Sequence, residues 1–281
     1  MNYLLLSDIH GNDAALAAVL AAVPTSRYDA ILVLGDNVGD GPCPDKVLAE
    51  LANRGAVQIA GNREELAVRH FDGFAETQAA LQWKFMRDSL SFLSASQRDA
   101  LRTLRNQKFL TDGDLSLRMV HGSPFSFREV LRPENTVRLE EALSAVDEPI
   151  LLCGHYHYQY AYPCGQKLLL NPGSVGLSQK GEAFRADYAL LHLSGNQVSF
   201  ELNHTYYDGE AVLRSYKERG LWNATLWGRL AYREMSEGKP YIIGFARYVF
   251  SLAKQKGVDT HPLDDEIWKE ASRTWQWTPA K

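Results

Sequence analysis

The chain has 281 residues, of which 45% are hydrophobic and 23% charged, and its formal net charge is −4. Such a length can bury a large core in one domain or two modest ones, and the charge does not favour binding to duplex nucleic acid. Three cysteines form no paired framework, and no apolar run reaches the ~20 residues of a membrane span. Since strand-like residues begin the sequence, we expect no signal peptide. We therefore expect a cytoplasmic protein that contacts no membrane.

The first part of the chain alternates strands with helices. Strands are predicted at 2–7, 30–35 and 56–60, and helices at 13–23 and 44–54. Pro24 ends the first helix, and Pro44 suits the first turn of the second. This order favours a parallel sheet with right-handed crossovers.

The second part has an antiparallel character. Residues 62–106 are predicted to be mostly helical, and a turn at Asp112-Gly113 precedes an alternating apolar run. Gly165 and Gly195 lie in predicted hairpin turns. Further strands are predicted at 149–153, 157–162, 167–170, 187–193 and 197–203. The two parts together indicate two sheets packed face to face, with helices outside.

From about Asp208 onward the chain becomes helical and rich in tryptophan. Five of its six tryptophans lie there: Trp222, Trp227, Trp268, Trp275 and Trp277. This stretch could pack its aromatic rings against the rest of the protein, form a homo-oligomer interface, or cover an active site. We predict two units, a catalytic domain at 1–208 and a helical extension at 209–281 that packs on the same body.

Five fragments with metal-ligating side chains each follow a predicted strand. In chain order they are S-D-I-H-G-N at 7–12, G-D-N-V-G-D-G at 35–41, G-N-R-E at 61–64, H-G-S at 121–123 and G-H-Y-H at 154–157. Ligands of an open α/β sheet bind outside the carboxyl ends of its strands, so one shared site is expected. A set of Asp, Asn and His without thiolate suits Mn, Fe, Ni or Zn rather than a structural zinc site.

This ordered set resembles the calcineurin-like metallophosphoesterase family, and most closely its small bacterial and archaeal members of the phosphodiesterase type. The resemblance covers residues 1 to about 208 and includes H-G-S-P at 121–124 and N-P-G-S-V-G at 171–176. It implies an α/β (α+β) fold, a four-layer αββα sandwich of two mixed sheets, with a dinuclear metal centre at the strand ends.

The resemblance also implies a role for each ligand. Asp8, His10 and His157 would bind one metal ion, whereas Asn62, His121 and His155 would bind the other, with Asp36 bridging both. Manganese is the first expectation for the two divalent ions, with Fe, Ni and Zn as alternatives. A bridging hydroxide would attack phosphorus in line. The residues assigned to catalysis are Asp36, Asn62, Arg63 and His121.

Two departures from the family pattern bear on the substrate. Many members have G-N-H where this chain has Arg63, and an arginine cannot act as a general acid near neutral pH. Arg63 could stabilise phosphoryl charge, or it could pair with Glu64 or Glu65 on the surface. V-G-D-G at 38–41 replaces the V-D-R-G of protein phosphatases and dinucleoside tetraphosphate hydrolases, so their phosphate-gripping arginine is absent.

The sequence therefore predicts a hydrolase of small phosphodiesters or nucleotides with good leaving groups. The alternatives are a dinucleoside polyphosphate hydrolase, a phosphomonoesterase or protein phosphatase, and a non-catalytic scaffold like one retromer subunit that resembles this fold. Asn12, Arg63, Phe125 and Arg128 are the candidates for substrate binding, although Phe125 and Arg128 could instead pack their own loop.

Overall fold

The computed structural model describes residues 1–78, 80–113, 115–258 and 263–280. Its strands form two sheets of five strands each. In chain order the strands are β1 (Asn2–Leu6), β2 (Ala30–Val33), β3 (Val57–Gln58), β4 (Gln107–Asp112), β5 (Leu115–Val120), β6 (Ile150–Leu152), β7 (Gln159–Cys164), β8 (Lys167–Pro172), β9 (Arg185–Ser194) and β10 (Gln197–Tyr206).

Helices lie between the strands and follow the last one. They are α1 (Asp13–Ala22), α2 (Pro44–Asn53), α3 (Asn62–Phe71), α4 (Ala75–Gln78), α5 (Lys84–Leu90), α6 (Ala95–Thr103), α7 (Thr136–Ser144), α8 (Gly209–Glu218), α9 (Leu226–Glu237), α10 (Tyr241–Gln255) and α11 (Asp265–Thr274). None of the described helices combines the length and the apolar character that a bilayer-spanning segment requires.

Both sheets mix parallel and antiparallel pairs. The first has the order β10-β9-β1-β2-β3, with β1 parallel to β2 and antiparallel to β9. The second has the order β4-β5-β6-β8-β7, with parallel pairs at its centre and an antiparallel hairpin at each edge. The predicted hairpin turns at Gly113, Gly165 and Gly195 are confirmed, and each of these glycines has a positive φ.

The two sheets pack face to face and carry helices on their outer faces. Leu5 of β1 contributes to the core between the sheets, whereas Leu4 and Leu6 pack toward α1 and α2. On the opposite side, Leu151 of β6 packs against Leu139 of α7. The predicted four-layer αββα sandwich of the α/β (α+β) class is therefore confirmed.

The C-terminal helices extend the core on the outer face of the first sheet. Asp208 caps α8 by accepting hydrogen bonds from two backbone N–H groups of its first turn. Trp268 and Trp275 are buried in this core, and Trp222, Trp227 and Trp277 pack against it. The rings of this stretch therefore belong to one core with the first sheet, in which most of their ring contacts are with one another and Trp227 donates to Asp40 of the N-terminal part. Residues 259–262 and 281 of the predicted extension lie outside the described residues.

Candidate metal centre

The seven predicted ligands lie at the carboxyl ends of the central strands. The loop after β1 contributes Asp8 and His10, and the loop after β2 contributes Asp36. Asn62 is the first residue of α3, His121 follows β5 directly, and His155 and His157 follow β6. The strand order places β1 and β2 side by side in one sheet and β5 and β6 side by side in the other. Both sheets therefore deliver ligands to the same end of the sandwich.

The ligand loops after β1 and β2 continue the pairing of their strands. The N–H groups of Asp8, His10 and Gly11 donate to the carbonyls of residues 35, 36 and 37 at 2.8 to 3.0 Å. Asp8, His10 and Asp36 all have φ values of 52 or 53°. Because non-glycine residues rarely adopt this left-handed backbone, the two loops hold the carboxylates and the imidazole in a costly but defined orientation.

The same backbone geometry recurs in the G-H-Y-H fragment. His155 and His157 have φ values of 65° and 60°. A Cβ atom on Gly154 would lie 2.0 Å from the hydroxyl oxygen of Ser7, and one on Gly61 would lie 2.3 Å from Asp36 Oδ1. Glycine therefore precedes a ligand in these two fragments because the adjoining ligand loops pass too closely for a side chain.

One group of ligand atoms comprises Asp8, His10 and His157, whose donor atoms lie within 4.8 Å of one another. Asp8 Oδ1 lies 3.3 Å from His157 Nε2 and 3.7 Å from His10 Nε2. This buried oxygen has no hydrogen-bond donor among the described residues, whereas Asp8 Oδ2 accepts from the Ser7 hydroxyl and the backbone N–H of His155. One carboxylate oxygen is thus tied to the protein, and the other faces the two imidazoles.

A second group comprises Asp8, Asp36, His121 and His155, again within 4.8 Å. His121 Nε2 lies 3.4 Å from Asp36 Oδ2 and 3.2 Å from the amide oxygen of Asn62. Asp8 is common to both geometric groups, whereas the family resemblance gives the shared position to Asp36. The bridging role of Asp36 stays a prediction.

Three of the four imidazoles have a backbone carbonyl as hydrogen-bond acceptor for one ring nitrogen, and the fourth, that of His10, lies beside a carboxylate. His121 Nδ1 donates to the carbonyl of residue 34, and His157 Nδ1 to that of residue 177. His155 Nε2 donates to the carbonyl of residue 128, and His10 Nδ1 lies 3.0 Å from Asp40 Oδ2. Such outer partners are typical of metal-ligating histidines, because they set the tautomer and the ring orientation. The donor set and the open Asp8 oxygen therefore fit divalent metal ions.

The carboxylates and imidazoles shift one another's pKa. Burial raises the pKa of Asp36, but the charge of His121 outweighs it and brings the value to about 2. Burial lowers the pKa of His121, but Asp36 and Asp8 raise it to about 10. Burial and the charge of His121 lower the pKa of His155 to about 4. In the metal-free protein a protonated imidazole thus compensates the buried carboxylates, in the place that a metal cation would take.

Glu64 supports the centre and is not the surface partner of Arg63 that its position beside that arginine suggests. Its side chain is fully buried and accepts hydrogen bonds from four backbone N–H groups, those of residues 36, 37, 38 and 61. The carboxylate thereby joins the loop after β2 to the start of α3. A glutamate three residues after Gly61, at the start of a helix, is a capping-box signal that could have indicated this role.

Asp40 is a second supporting residue whose role its position in the sequence does not predict. Its carboxylate contacts His10, accepts from Arg63 Nη2 at 2.8 Å and accepts from the indole N–H of Trp227 at 2.7 Å. The hydroxyl of Tyr216 donates to its backbone carbonyl at 2.6 Å. No sequence pattern indicates these contacts, because Trp227 and Tyr216 lie more than 170 residues away along the chain.

Arg63 is directed toward Asp40. Its guanidinium pairs with that carboxylate rather than with Glu64 or Glu65, and its side chain is 20% exposed. Burial would lower the pKa of Arg63, but Asp40 and Asp36 raise it above its ordinary value. The backbone N–H of Arg63 also donates to Asp36 Oδ1 at 2.7 Å. The residue therefore fixes a predicted ligand through its backbone and keeps its charge at any physiological pH.

The N-P-G-S-V-G segment at 171–176 joins two of the ligand loops. The Ser174 hydroxyl and the Gly176 N–H both donate to the carbonyl of Asp8, at 2.8 and 3.0 Å. Asn171 Nδ2 donates to the carbonyl of Gly154 at 2.9 Å. This segment therefore positions the loop after β1 against the G-H-Y-H fragment.

The other candidates for substrate binding have protein partners in this structure. Asn12 is fully buried and caps α1, while its amide nitrogen donates to the carbonyl of residue 176. The guanidinium of Arg138 stacks on Phe125, and the side chain of Arg128 pairs with Glu65. The contacts of Asn12, Phe125 and Arg128 with substrate stay predictions.

Comparisons with known proteins bear on the family and the fold of the chain. Residues 1–196 match the family model described as the calcineurin-like phosphoesterase superfamily domain. The fold is similar to the crystal structure of a metallophosphoesterase from Sphaerobacter thermophilus, with 24% identity, a TM-score of 0.66, and coverage of 85% of this chain and 100% of that one. It is also similar to a hypothetical protein from Pyrococcus horikoshii OT3, with 21% identity, a TM-score of 0.69, and coverage of 84% and 98%. At these identities the two structures support the fold alone, and no curated protein matches the chain significantly. Because the family model matches residues 1–196, which is most of the chain, the chain belongs to the calcineurin-like phosphoesterase superfamily.

Proposed function

We propose that this protein hydrolyses small phosphodiesters with two divalent transition-metal ions, manganese first and Fe, Ni or Zn as alternatives. The observation that carries the proposal is the pair of adjoining ligand groups, in which buried carboxylates face imidazoles already oriented by outer acceptors. Asp8, His10 and His157 would hold one ion, and Asn62, His121 and His155 the other, with Asp36 shared. An open, mixed O and N donor set is typical of catalytic rather than structural metal sites.

Bound metal ions would supply Lewis acidity toward the phosphoryl oxygens and an acidified water molecule. The protein's part is to keep the donor atoms fixed. Burial raises the pKa of Asp36, but the neighbouring charge of His121 lowers it to about 2, so Asp36 is ionised at neutral pH. The backbone N–H of Arg63 occupies the other oxygen of this carboxylate, which leaves Oδ2 directed toward His121.

The preference for diesters follows from the residue beside Asn62. Burial lowers the pKa of Arg63, but Asp40 raises it further, so the guanidinium keeps its proton and cannot serve as a general acid at that position. A substrate whose leaving group departs without protonation suits such a site better than an alkyl phosphomonoester does. Diesters and anhydrides with good leaving groups are therefore the proposed substrates.

A substrate panel across Mn, Fe, Ni, Zn and Mg tests the proposal, with metal content measured on each sample. We expect higher kcat/KM for thymidine 5′-(4-nitrophenyl phosphate), a diester, than for 4-nitrophenyl phosphate, a monoester with the same leaving group. Equal or faster turnover of the monoester would indicate a phosphomonoesterase, and selective cleavage of a dinucleoside polyphosphate would indicate that alternative. Metal binding without any hydrolysis would support a scaffold.

The wider setting of the protein forms part of the proposal. The free cysteines Cys43, Cys153 and Cys164 suit a reducing compartment, which supports a cytoplasmic location. The end of β10 and the Asp208 cap of α8 support a boundary at 208, between a catalytic unit and a helical extension. Exposed aromatic and aliphatic side chains on α10, Ile243 and Phe250, support the idea of a homo-oligomer contact, which light scattering would detect.

A further inference from the structure

A cleft of about 250 Å³ lies beside the candidate metal centre. Two predicted ligands, His155 and His157, form part of its lining. Its other walls come from two distant parts of the chain, since Arg132 lies in the loop before α7 and Arg247 lies on α10. Arg247 is outside the residues that match the family model, so the C-terminal helices contribute a side chain to the surroundings of the centre.

Neither arginine of this cleft forms an ion pair with a carboxylate of the described residues. Arg132 contacts Tyr156, with its guanidinium 5.0 Å from the ring centroid. Both arginine side chains are exposed. Glu234, a buried carboxylate whose charge reaches His157, has both oxygens occupied, one by the amide of Gln179 and one by the N–H of residue 242. The two positive charges therefore remain available to a ligand.

The aromatic lining does not favour a stacked nucleobase. Tyr156 and Tyr158 lie with ring centroids 4.9 Å apart and tilted by 33°. Arg132 lies over the first ring, and Lys180 Nζ lies 5.3 Å from the centroid of the second. Since each tyrosine already has a cation over its face, the cleft presents positive charge. Its volume is below that of most sites for whole ligands, so it suits one small group of a larger substrate.

We infer that this cleft is a subsite for a second anionic group of the substrate, a phosphate or a carboxylate beyond the scissile phosphorus, bound by Arg132 and Arg247. The inference rests on the proposed function, because it names the class of phosphodiester that the centre takes. Arginine suits this role, since its planar group can donate two parallel hydrogen bonds to a phosphate or carboxylate. The substrate is then a phosphodiester with an additional negatively charged group.

Two substrates that differ by one phosphate test the inference. Thymidine 5′-(4-nitrophenyl phosphate) and its 3′-phosphorylated form share the scissile bond and the leaving group. We expect the wild-type protein to prefer the 3′-phosphorylated form, and Arg247→Ala and Arg132→Ala each to lower that preference about tenfold, the effect of one charge-assisted hydrogen bond. Arg247→Lys should restore part of it. Arg273→Ala removes an exposed arginine of α11 that does not line the cleft, and should leave the preference unchanged.

A binding measurement separates failure of the subsite from failure of the proposed activity. Calorimetry on the manganese-loaded protein compares thymidine 3′,5′-bisphosphate with thymidine 5′-phosphate. Tighter binding of the bisphosphate that is lost in Arg247→Ala supports the subsite even if no diester is cleaved. The inference is overturned if the protein cleaves both diesters with the same kcat/KM, if the arginine variants change both equally, or if the two nucleotides bind alike.

Discussion

The candidate metal centre has two halves, which are the predicted ligands of one ion (Asp8, His10 and His157) and those of the other (Asn62, His121 and His155). Different parts of the chain support the two halves. In the half with His121 and Asn62, the outer partners are the carbonyl of residue 34 and the carboxylate of Glu64, all within the residues that match the family model. In the half with His10, the outer partner Asp40 is itself bound by Trp227 of α9. The C-terminal helices are therefore structurally joined to one half of the centre and not only to the surface of the sandwich.

The largest effect is expected where the two halves meet. Asp36→Asn removes the charge that we propose both metal ions share, so kcat should fall by about 10³-fold, since several kcal/mol of charge stabilisation are lost. Metal content should fall in parallel. Asp88→Asn, which breaks a surface pair with Lys84 on α5, is a matched control that should retain activity. Unchanged turnover in Asp36→Asn would contradict the shared role.

The half with Asn62 can be weakened selectively at Glu64. In Glu64→Gln one carboxylate oxygen becomes an amide nitrogen, which leaves two of the four buried N–H groups without an acceptor. The free energy of unfolding of the metal-free protein should fall by about 3 kcal/mol, measured by urea denaturation. Glu65→Gln, at the surface pair with Arg128, should cost less than about 1 kcal/mol. Equal costs for the two variants would mean that Glu64 does not support the loop.

The half with His10 can be weakened from the C-terminal helices. Trp227→Phe removes the indole N–H that donates to Asp40 but keeps an aromatic ring, so metal affinity at this half should fall by about tenfold or more. Chelator competition, repeated in a His121→Ala background that retains this half, measures the change. Trp277→Phe, whose indole packs against Trp275, is the control and should leave both affinities intact. An equal loss of metal affinity at both halves would contradict the idea that Trp227 supports only the half with His10.

A smaller effect is expected in the pH dependence of metal binding. The pKa of His121, lowered by burial but raised further by Asp36, is about 10, so the metal-free protein carries this proton at pH 8. Metal binding must displace it, and affinity should therefore rise with pH. The enthalpy of metal binding is measured by calorimetry in two buffers of different ionisation enthalpy. The two values should differ by the amount that corresponds to the release of about one proton per protein. Identical enthalpies would show that the centre is already deprotonated.

Strand ends and ligand types could be predicted because they depend on local pattern. Short apolar runs followed closely by Asp, Asn or His indicated both the sheets and the residues that meet at their edge, and the structure brings all seven together. The limits of the strands were less certain. The predicted strand at 56–60 is only Val57–Gln58, because the N–H of Ala60 donates to the carbonyl of Arg105 instead of to the neighbouring strand.

The outer partners could not be predicted because they depend on distant packing. A pair with Glu64 or Glu65 is one of the two alternatives for Arg63, but backbone N–H groups already occupy the Glu64 carboxylate, and the guanidinium pairs with Asp40. The link from Asp40 to Trp227 requires the C-terminal helices to fold back on the first sheet. A sequence pattern shows that tryptophans are concentrated there, but not which indole N–H meets which carboxylate.

The left-handed backbone of Asp8, His10, Asp36, His155 and His157 has a consequence for how this chain could change. A non-glycine residue in this conformation costs about 1 kcal/mol or more relative to glycine. Five such residues at one site represent a trade-off in which chemistry is kept at the expense of folding stability. If the chemistry were no longer selected, glycine or asparagine would be favoured at these positions. Glycine at these positions in a related chain would therefore indicate, from the sequence alone, that metal binding has been lost.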